Sequence, residues 1–200
     1  LVVTISSGLS STYNSALIAK ELHEKESGNK KIYVIDSLSA SVGEGLVVRK
    51  AAQLRTAGIV IEKIADLLRK SAKEGQVFFL LETLENIVKG GRIGKVSGKL
   101  AALLSIKLIM KSDGHGVVDL AEKVRGSRRA LRRMVEIIGE NCANIVDKTL
   151  AIAHANCYEK ALEFKAMVEE KYRFKEIIIS TIGATIGTYS GEGGILISFI

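Results

Sequence analysis

The sequence predicts an α/β fold in two domains: an α/β/α domain with a parallel sheet over residues 1–75, and an α+β domain over residues 76–200. Three observations lead to this prediction. Short β-branched apolar runs alternate with helical patterns in the first 75 residues, which is typical of a parallel sheet flanked by helices. After residue 76 a hairpin pattern is mixed with helices, which indicates a mixed or antiparallel sheet. An apolar content of 47% supplies the side chains for a packed core.

The first domain is predicted to contain, in chain order, a strand over 1–5, a helix over 14–25, a strand over 31–36 and helices over 42–56 and 59–73. Leu17, Ile18 and Leu22 recur at helical spacing, which indicates one apolar face on the first of these helices. Gly58 separates the last two helices, because glycine interrupts a helical pattern.

The second domain opens with an apolar segment at 76–82. It is predicted to continue with a helix over 84–89, a helix over 97–105, a hairpin over 107–123, a helix over 127–142, a strand over 149–154, a helix over 159–172 and strands over 176–181 and 195–199. Gly90 and Gly91 end the first of these helices, and Ser127 is the expected cap of the longest one. The residues 187–194, "GTYSGEGG", are predicted to form a loop whose backbone can approach a ligand closely.

Composition excludes several classes of function. No apolar run approaches the roughly 18 residues that cross a membrane, and no secretory signal is present. Aromatic residues make up only 5% of the chain and tryptophan is absent, so a base-stacking surface for single-stranded nucleic acid has little material. Cys142 and Cys157 lack the spacing of a metal site and are interpreted as reduced thiols of a cytoplasmic protein.

Five hydroxyl residues lie in the seven positions 6–12, called here the hydroxyl loop, between a predicted strand and a predicted helix. At such a junction the unpaired N–H groups and the helix dipole favour an anion, and hydroxyls add donors without adding charge. The sequence therefore predicts a site for a carboxylate or a phosphate, held by the hydroxyls of Ser6, Ser7, Ser10 and Thr12. The alternative is that Ser10 or Ser11 caps the helix and the others form a turn.

The sequence motifs of catalysis and metal binding are missing. The hydroxyl loop matches neither a P-loop nor a G-x-S-x-G nucleophile elbow, because "SSGLSS" has no second glycine. Among the histidines, His154 at the end of a strand is the best placed as a base, provided that folding brings it near the serines. We expect no catalytic residue, no metal and no cofactor. A phosphoryl- or acyl-transfer enzyme that uses the hydroxyl loop is the alternative.

The net charge of +7 includes a basic stretch of six charges between Lys123 and Arg133. The favoured interpretation is a solvated helix face, and binding of nucleic acid or of an acidic protein partner stays open. Arg125 differs from its neighbours, because it precedes the expected helix cap and follows a strand. It is therefore placed to turn inward and pair with an anion through two hydrogen bonds.

Taken together, these segments resemble the DegV family of bacterial fatty-acid-binding proteins. The resemblance runs along nearly the whole chain and rests on six segments in order: "SSGLSSTYNSA", "YVIDSLSASVGEG", "LETLENIVKGGRI", "KLAALLSIKLIMKSDG", "EKVRGSRRAL" and "IGTYSGEGG". It implies two α/β domains with a long-chain fatty acid between them, the carboxylate at the domain interface and the acyl chain in an apolar tunnel. In some members the bound acid is presented to a separate fatty-acid kinase for phospholipid synthesis.

The residues that the resemblance implies for ligand binding are Ser7, Ser6 and Ser10, in that order of preference, with Arg125, Tyr189 and Gly191. Arg125 is implied to lie near the head group and the surface for the partner protein. The apolar residues 100–110 are the candidate wall of the tunnel or, equally, ordinary core.

The chain also departs from the family pattern. The family's terminal histidine is Tyr189 here, which donates a hydrogen bond but carries no positive charge, so support for phosphoryl transfer is affected more than lipid binding. At two positions where the family pattern has proline, this chain has Leu108 and Glu192. Glu192 would add a negative charge near an anion. Family members begin with a further segment that carries another Thr/Ser motif. Because this chain starts at Leu1 inside a predicted strand, we expect a fragment whose first domain is truncated.

Overall fold

A computed structural model of the chain describes residues 1–27, 30–93 and 106–200. Within these ranges the chain forms a two-stranded sheet and a six-stranded sheet, with helices around both. The first 75 residues contain, in order, strand β1 (Val2–Thr4), helix α1 (Thr12–Ser27), strand β2 (Val34–Asp36) and helices α2 (Val42–Thr56) and α3 (Ile61–Glu74). The predicted parallel pairing is confirmed, because β1 and β2 run parallel with Val2 opposite Val34.

The core beside the two-stranded sheet comes from the apolar faces of α2 and α3. Ile64, Ala65 and Leu68 recur at helical spacing on α3 and are buried. They pack with Ile35 of β2 and Val47 of α2 in one hydrophobic cluster. Burial of apolar surface, worth about 25 cal/mol per Å² removed from water, holds both helices on the sheet.

The second part of the chain contributes the larger sheet. Its elements are β3 (Gln76–Leu80), α4 (Glu85–Lys89), β4 (Ile106–Ser112), β5 (Val118–Arg125), α5 (Ser127–Asn141), β6 (Thr149–His154), α6 (Tyr158–Lys171), β7 (Glu176–Thr181), α7 (Ala184–Ser190) and β8 (Ile195–Phe199). The strand order is β5-β4-β3-β8-β6-β7, in which β6 and β7 pair in parallel and every other pair is antiparallel. The predicted mixed sheet is therefore confirmed.

The six-stranded sheet buries both of its faces in different surroundings. Successive side chains of a strand point to opposite faces, so Phe78 and Leu80 lie on one side of β3, and Val77 and Phe79 on the other. The first face is covered by α5 and α6, whose Phe164 is completely buried there. The second face meets α4, α7 and the loops of the two-stranded sheet. This second face is the one that forms the candidate site.

Helix α2 joins the two sheets. Gly43 in its first turn lies against β8, because a Cβ at this position would overlap the Ser39 hydroxyl and come within 3.1 Å of Ser198 Oγ. Farther along the helix, the guanidinium of Arg49 forms an ion pair with the carboxylate of Glu176 in β7. These contacts hold the loops that follow β1 and β2 over the larger sheet.

Two local predictions are wrong, and one lies outside the described residues. Ser127 is the first residue of α5 and does not cap it, since Gly126 with φ 87° occupies the cap position. Part of the predicted glycine loop is helical, because α7 extends to Ser190. The predicted helix over 97–105 lies outside the described residues, as do residues 100–105 of the candidate tunnel wall. The remaining residues of that wall, 106–110, belong to β4. Among the described helices, none has the length and apolar character needed to cross a membrane.

Two glycines of α2 test how this helix packs on β8. We expect Gly43→Ala to lower the free energy of unfolding by about 1–3 kcal/mol, because the added methyl group overlaps a buried serine. Gly45→Ala is the matched control, since this exposed helical position has nothing within 4 Å of an added Cβ. The control should gain about 0.5–1 kcal/mol from the better helix propensity of alanine. Urea unfolding measures both, and equal changes would contradict the packing.

Candidate functional site

A cavity of about 240 Å³ lies between the two sheets. One wall is the face of the larger sheet that carries Val77, Phe79 and Leu196. The opposite wall is formed by the loops after β1 and β2, and residues of α7 line a further side. Most of the lining is apolar, and concave pockets of this character with a few polar groups are where proteins bind small ligands.

Four polar residues form what we call the polar end of the cavity: Ser10, Thr12, Arg92 and Tyr189. The side-chain oxygens of Ser10 and Thr12 lie 2.8 Å apart. Arg92 reaches the same loop, because its Nε donates a hydrogen bond to the Leu9 carbonyl at 3.4 Å. Arg92 is exposed whereas the apolar wall is buried, so the polar end lies on the solvent side of the cavity.

Ser6 anchors the hydroxyl loop instead of facing the cavity. Its completely buried hydroxyl donates to the Gly116 carbonyl at 2.8 Å and accepts the Gly8 N–H at 3.1 Å. Its own N–H donates to the Ser39 carbonyl at 2.8 Å. This one residue therefore connects the hydroxyl loop with the loop after β2 and with the β4–β5 hairpin.

Ser7 and Ser10 occupy different surroundings in the hydroxyl loop. Ser7 is exposed and lies outside the cavity lining, and its N–H donates to both Asp36 carboxylate oxygens at 3.2 and 3.3 Å. Ser10 is half-buried in the lining, and its hydroxyl accepts the Thr12 N–H at 3.3 Å. Ser10 thus forms a short turn with the first residue of α1 and also presents its hydroxyl at the polar end.

The loop after β2 is the second contributor to the cavity. Leu38, Ser39 and Ala40 line it, and they belong to the segment "YVIDSLSASVGEG" on which the resemblance rests. Leu38 adopts a left-handed conformation with φ 52°, which costs energy for a branched side chain. Asp36 holds this conformation, because its Oδ1 accepts the Leu38 N–H at 2.9 Å. The strand end that positions the hydroxyl loop therefore also positions this loop.

The β4–β5 hairpin is shaped at its turn by Asp113. Burial of this carboxyl raises its pKa, but hydrogen bonds from the N–H groups of Val117 and His115, at 3.0 and 2.8 Å, outweigh burial and keep the pKa below its usual value. Gly116 completes the turn with φ 79°, and an added Cβ would overlap the Ser6 hydroxyl. Only glycine fits between the hairpin and the hydroxyl loop.

Arg125 lies away from the polar end. It is the exposed last residue of β5, whose first residue Val118 lines the cavity. Seven steps of about 3.3 Å separate the two along the strand, a distance of about 23 Å. The structure does not bring Arg125 together with Ser10 and Tyr189.

Tyr189 and Gly191 lie near each other but play different parts. The Tyr189 ring lines the cavity and packs on Gly90, where an added Cβ would overlap it. Gly191 ends α7 with φ 66° and is outside the lining. Glu192 also lies outside the cavity lining, and its carboxylate accepts a hydrogen bond from the Asn156 amide at 2.7 Å. Its negative charge is thereby directed to Asn156.

Arg92 is the residue of the polar end that sequence reasoning missed. Its Nη1 donates to the Gly90 carbonyl at 2.7 Å, and its Cζ lies 5.8 Å from the centroid of the Tyr189 ring. The segment "GGRI" carried the only available signal, an arginine directly after two glycines that end a helix. The contact with Leu9 spans 83 positions of sequence, which no local pattern indicates.

The other titratable groups singled out in the sequence have structural surroundings. His154 is buried, its Nδ1 accepts the Cys157 N–H at 3.3 Å, and it lies outside the cavity lining. Both cysteines are free thiols, and burial raises the pKa of each. In the residues that the structure describes, no group of three or more His, Cys, Asp or Glu side chains is arranged to hold a metal ion.

The basic stretch on β5 and α5 is partly neutralised. Arg133 donates hydrogen bonds to Glu122, Glu136 and Glu140, which together raise the pKa of its guanidinium. Arg129 and Arg132 are exposed. A phosphate backbone would therefore meet a surface in which one arginine is already shared by three carboxylates.

Two glycines of the hairpin turn test the anchor at Ser6. Gly114 and Gly116 both have positive φ, so replacement of either by alanine costs about 1–2 kcal/mol of unfolding free energy. We expect Gly116→Ala to cost about 2 kcal/mol more than Gly114→Ala, because only at Gly116 does the methyl group displace a buried hydroxyl. Urea unfolding measures both variants. Equal losses would show that the Ser6 contact does not hold the loop.

Comparisons with known proteins agree with this architecture. The profile of the DegV family, described as an uncharacterised protein family, matches residues 1–200. A DegV domain-containing protein of Clostridium perfringens is 32% identical over 200 residues, which are 100% of this chain and 69% of that protein.

Solved structures are similar along almost the whole chain. A DegV-family protein from Ruminococcus gnavus, refined with vaccenic acid, superposes with a TM-score of 0.94 at 38% identity, covering 98% of this chain and 70% of that one. The Fatty Acid Kinase (Fak) B3 protein of Streptococcus pneumoniae, loaded with linoleic acid, superposes with a TM-score of 0.88 at 28% identity and covers 98% and 69%. Family and fold agree with the expectation from the sequence: the chain belongs to the DegV family.

Proposed function

We propose that this protein binds a long-chain fatty acid in the cavity between its two sheets. The observation that carries the proposal is the distribution of polarity: an apolar wall on the larger sheet and a polar end on the solvent side. A fatty acid has the same division into an apolar chain and a polar head. The similarity to two proteins crystallised with fatty acids supports the proposal.

The acyl chain supplies most of the affinity in this proposal. Each buried methylene group contributes about 0.8 kcal/mol to the binding free energy. A long acyl chain packed against apolar side chains such as Phe79 and Leu196 therefore binds more tightly than a short one. The carboxylate lies at the polar end. The Ser10 and Thr12 hydroxyls share one hydrogen bond, and the hydroxyl that accepts it donates its own proton to the carboxylate. Without such donors, taking the charged head out of water would cost more than the chain contributes.

The residues predicted from the resemblance enter the proposal with different roles. Ser10 and Tyr189 contact the ligand, and Ser6 holds the loop that presents Ser10. Binding roles for Ser7, Arg125 and Gly191 stay predictions from the resemblance, since all three lie outside the cavity lining. The division into domains 1–75 and 76–200 is part of the proposal, because the cavity lies between the sheets of these two parts.

A fatty-acid kinase is the proposed protein partner. The polar end lies on the solvent side, so a separate enzyme is able to reach the carboxylate while the chain stays buried. The similar Fak B3 protein supports this partner. In this proposal the protein carries the acid and performs no chemistry itself, and it needs no cofactor besides the fatty acid.

Native mass spectrometry of the purified protein, followed by lipid extraction, tests the function directly. We expect a stoichiometric long-chain fatty acid, or uptake of one from added palmitic acid. A folded protein, checked by circular dichroism, that neither carries nor takes up a fatty acid would refute the proposal.

Two positions of α7 test whether the acyl chain of the ligand occupies the cavity. Ile186 lines it and Thr188 is exposed one half-turn away, outside the lining. We expect Ile186→Trp to weaken palmitic acid binding at least tenfold, because the indole fills space needed for about two methylenes. Thr188→Trp adds the same side chain on the same helix and should leave the Kd unchanged. Equal Kd values for both variants would place the ligand elsewhere.

A further inference from the structure

Helix α7 forms a wall of the cavity but is too short to be stable by itself. It has seven residues, whereas isolated helices shorter than about 12–15 residues are marginal in water. Ile186 and Tyr189 of this helix line the cavity, and so do Ser190 at its end and Ile195 at the start of β8. The position of this wall therefore depends on what holds the intervening residues 191–194, called here the glycine turn.

The connection between β6 and α6 holds the glycine turn through hydrogen bonds. Ala155 donates its N–H to the Gly194 carbonyl at 2.9 Å and accepts the Gly193 N–H at 2.8 Å. Lys160, in the first turn of α6, adds a charged contact, because its Nζ donates to the Gly193 carbonyl at 2.7 Å. Hydrogen bonds from a charged donor are roughly twice as strong as those between neutral groups. Among these contacts, the one from Lys160 is therefore the strongest.

Glu82, two residues after β3, orients the ammonium group of Lys160. Its Oε1 accepts a hydrogen bond from Lys160 at 2.6 Å, and its Oε2 forms an ion pair with Lys107 of β4. Burial raises the pKa of this carboxyl, but the two lysines outweigh burial and hold the pKa below its usual value. The side chains of Lys107 and Lys160 are 19% and 18% exposed, so water screens these ion pairs less than it screens pairs on the surface.

The glycine at position 193 is required by this packing. Gly193 has φ 81°, and a Cβ on it would lie 2.7 Å from the Glu82 Cγ. A side chain here would displace Glu82, and with it the partner of Lys160. Glu82, Lys160 and Gly193 thus form one packed unit, although the two contacts of Lys160 span 78 and 33 positions of sequence.

We propose that Lys160, held by Glu82, is a positioning residue of the cavity: it fixes the glycine turn and thereby the α7 wall that contacts the ligand. This inference rests on the proposed function and adds a residue that acts on binding from outside the cavity. Neither Lys160 nor Glu82 belongs to the cavity lining, so an effect of either on affinity has to pass through α7. A wall that is ordered before the ligand arrives lowers the entropy cost of binding.

Two lysines of α6 provide the test and its matched control. Lys160→Met removes the charge that reaches the glycine turn and keeps a long side chain. Lys165→Met makes the same change at a lysine whose ion pair, with Glu169 at 2.6 Å, stays within α6. We expect Lys160→Met to weaken palmitic acid binding by about 5- to 20-fold and Lys165→Met to leave the Kd within about twofold. Lys160→Arg should recover most of the affinity, because a guanidinium has donors for both acceptors.

Amide hydrogen exchange separates positioning from a general loss of stability. Lys160→Met should speed exchange in residues 184–194 at least about fivefold and leave β6 unchanged, because the lost contact holds the glycine turn. Lys165→Met should change neither segment. Equal acceleration in both segments, or an unchanged Kd for a folded Lys160→Met variant, would overturn the inference.

Glu82→Gln tests whether the carboxylate acts through Lys160. Alone it should weaken palmitic acid binding by about two- to fivefold, because a neutral amide oxygen holds the ammonium group less firmly. Added to Lys160→Met it should cause no further loss, whereas additive losses would show that Glu82 does not act through Lys160. A wild type that binds no palmitic acid refutes the proposed function, and hydrogen exchange then still decides whether Lys160 fixes α7.

Discussion

The buried hydrogen bond between the Ser6 hydroxyl and the Gly116 carbonyl is the contact on which the arrangement of the site depends. It joins two segments that are 110 positions apart in sequence, the hydroxyl loop and the β4–β5 hairpin. Because a buried hydroxyl without a partner is costly, the contact resists displacement. Gly116 makes it possible, since its backbone is left-handed and a Cβ would fill the space of the hydroxyl. The serine with the most buried hydroxyl in the loop thus acts as a structural anchor.

The cavity is a consequence of how the larger sheet uses its two faces. Side-chain alternation along β3 places Phe78 under α5 and α6, where it packs with their buried side chains in one cluster. Phe79 points the other way, toward loops and the short helices α4 and α7. The cavity lies on this side, between the sheet and the loops and α7. The packing of α2 against β8 keeps the first part of the chain over it.

Electrostatics divides the cavity into an apolar and a polar part. The charged side chain in its lining lies beside the hydroxyls of Ser10 and Thr12 and on an aromatic ring. Two other charged groups have partners outside the cavity lining. Glu192 accepts a hydrogen bond from Asn156, and Arg133 forms ion pairs with three glutamates. A carboxylate at the polar end therefore meets donors and a cation, and the described residues of the lining include no competing acid.

The sequence by itself determined the order and kind of most elements, because the spacing of apolar residues depends only on the period of a helix or strand. It also determined that hydroxyls follow β1 at the start of a helix, where an anion is favoured. It did not indicate that α7 is helical, since Gly187 and the glycines that follow the helix resemble a loop. Only the tertiary structure decided that Ser6 is an anchor, that Arg125 lies at the far end of β5 and that Arg92 meets Leu9. These facts depend on contacts between distant segments, and such contacts leave no periodic trace in the chain.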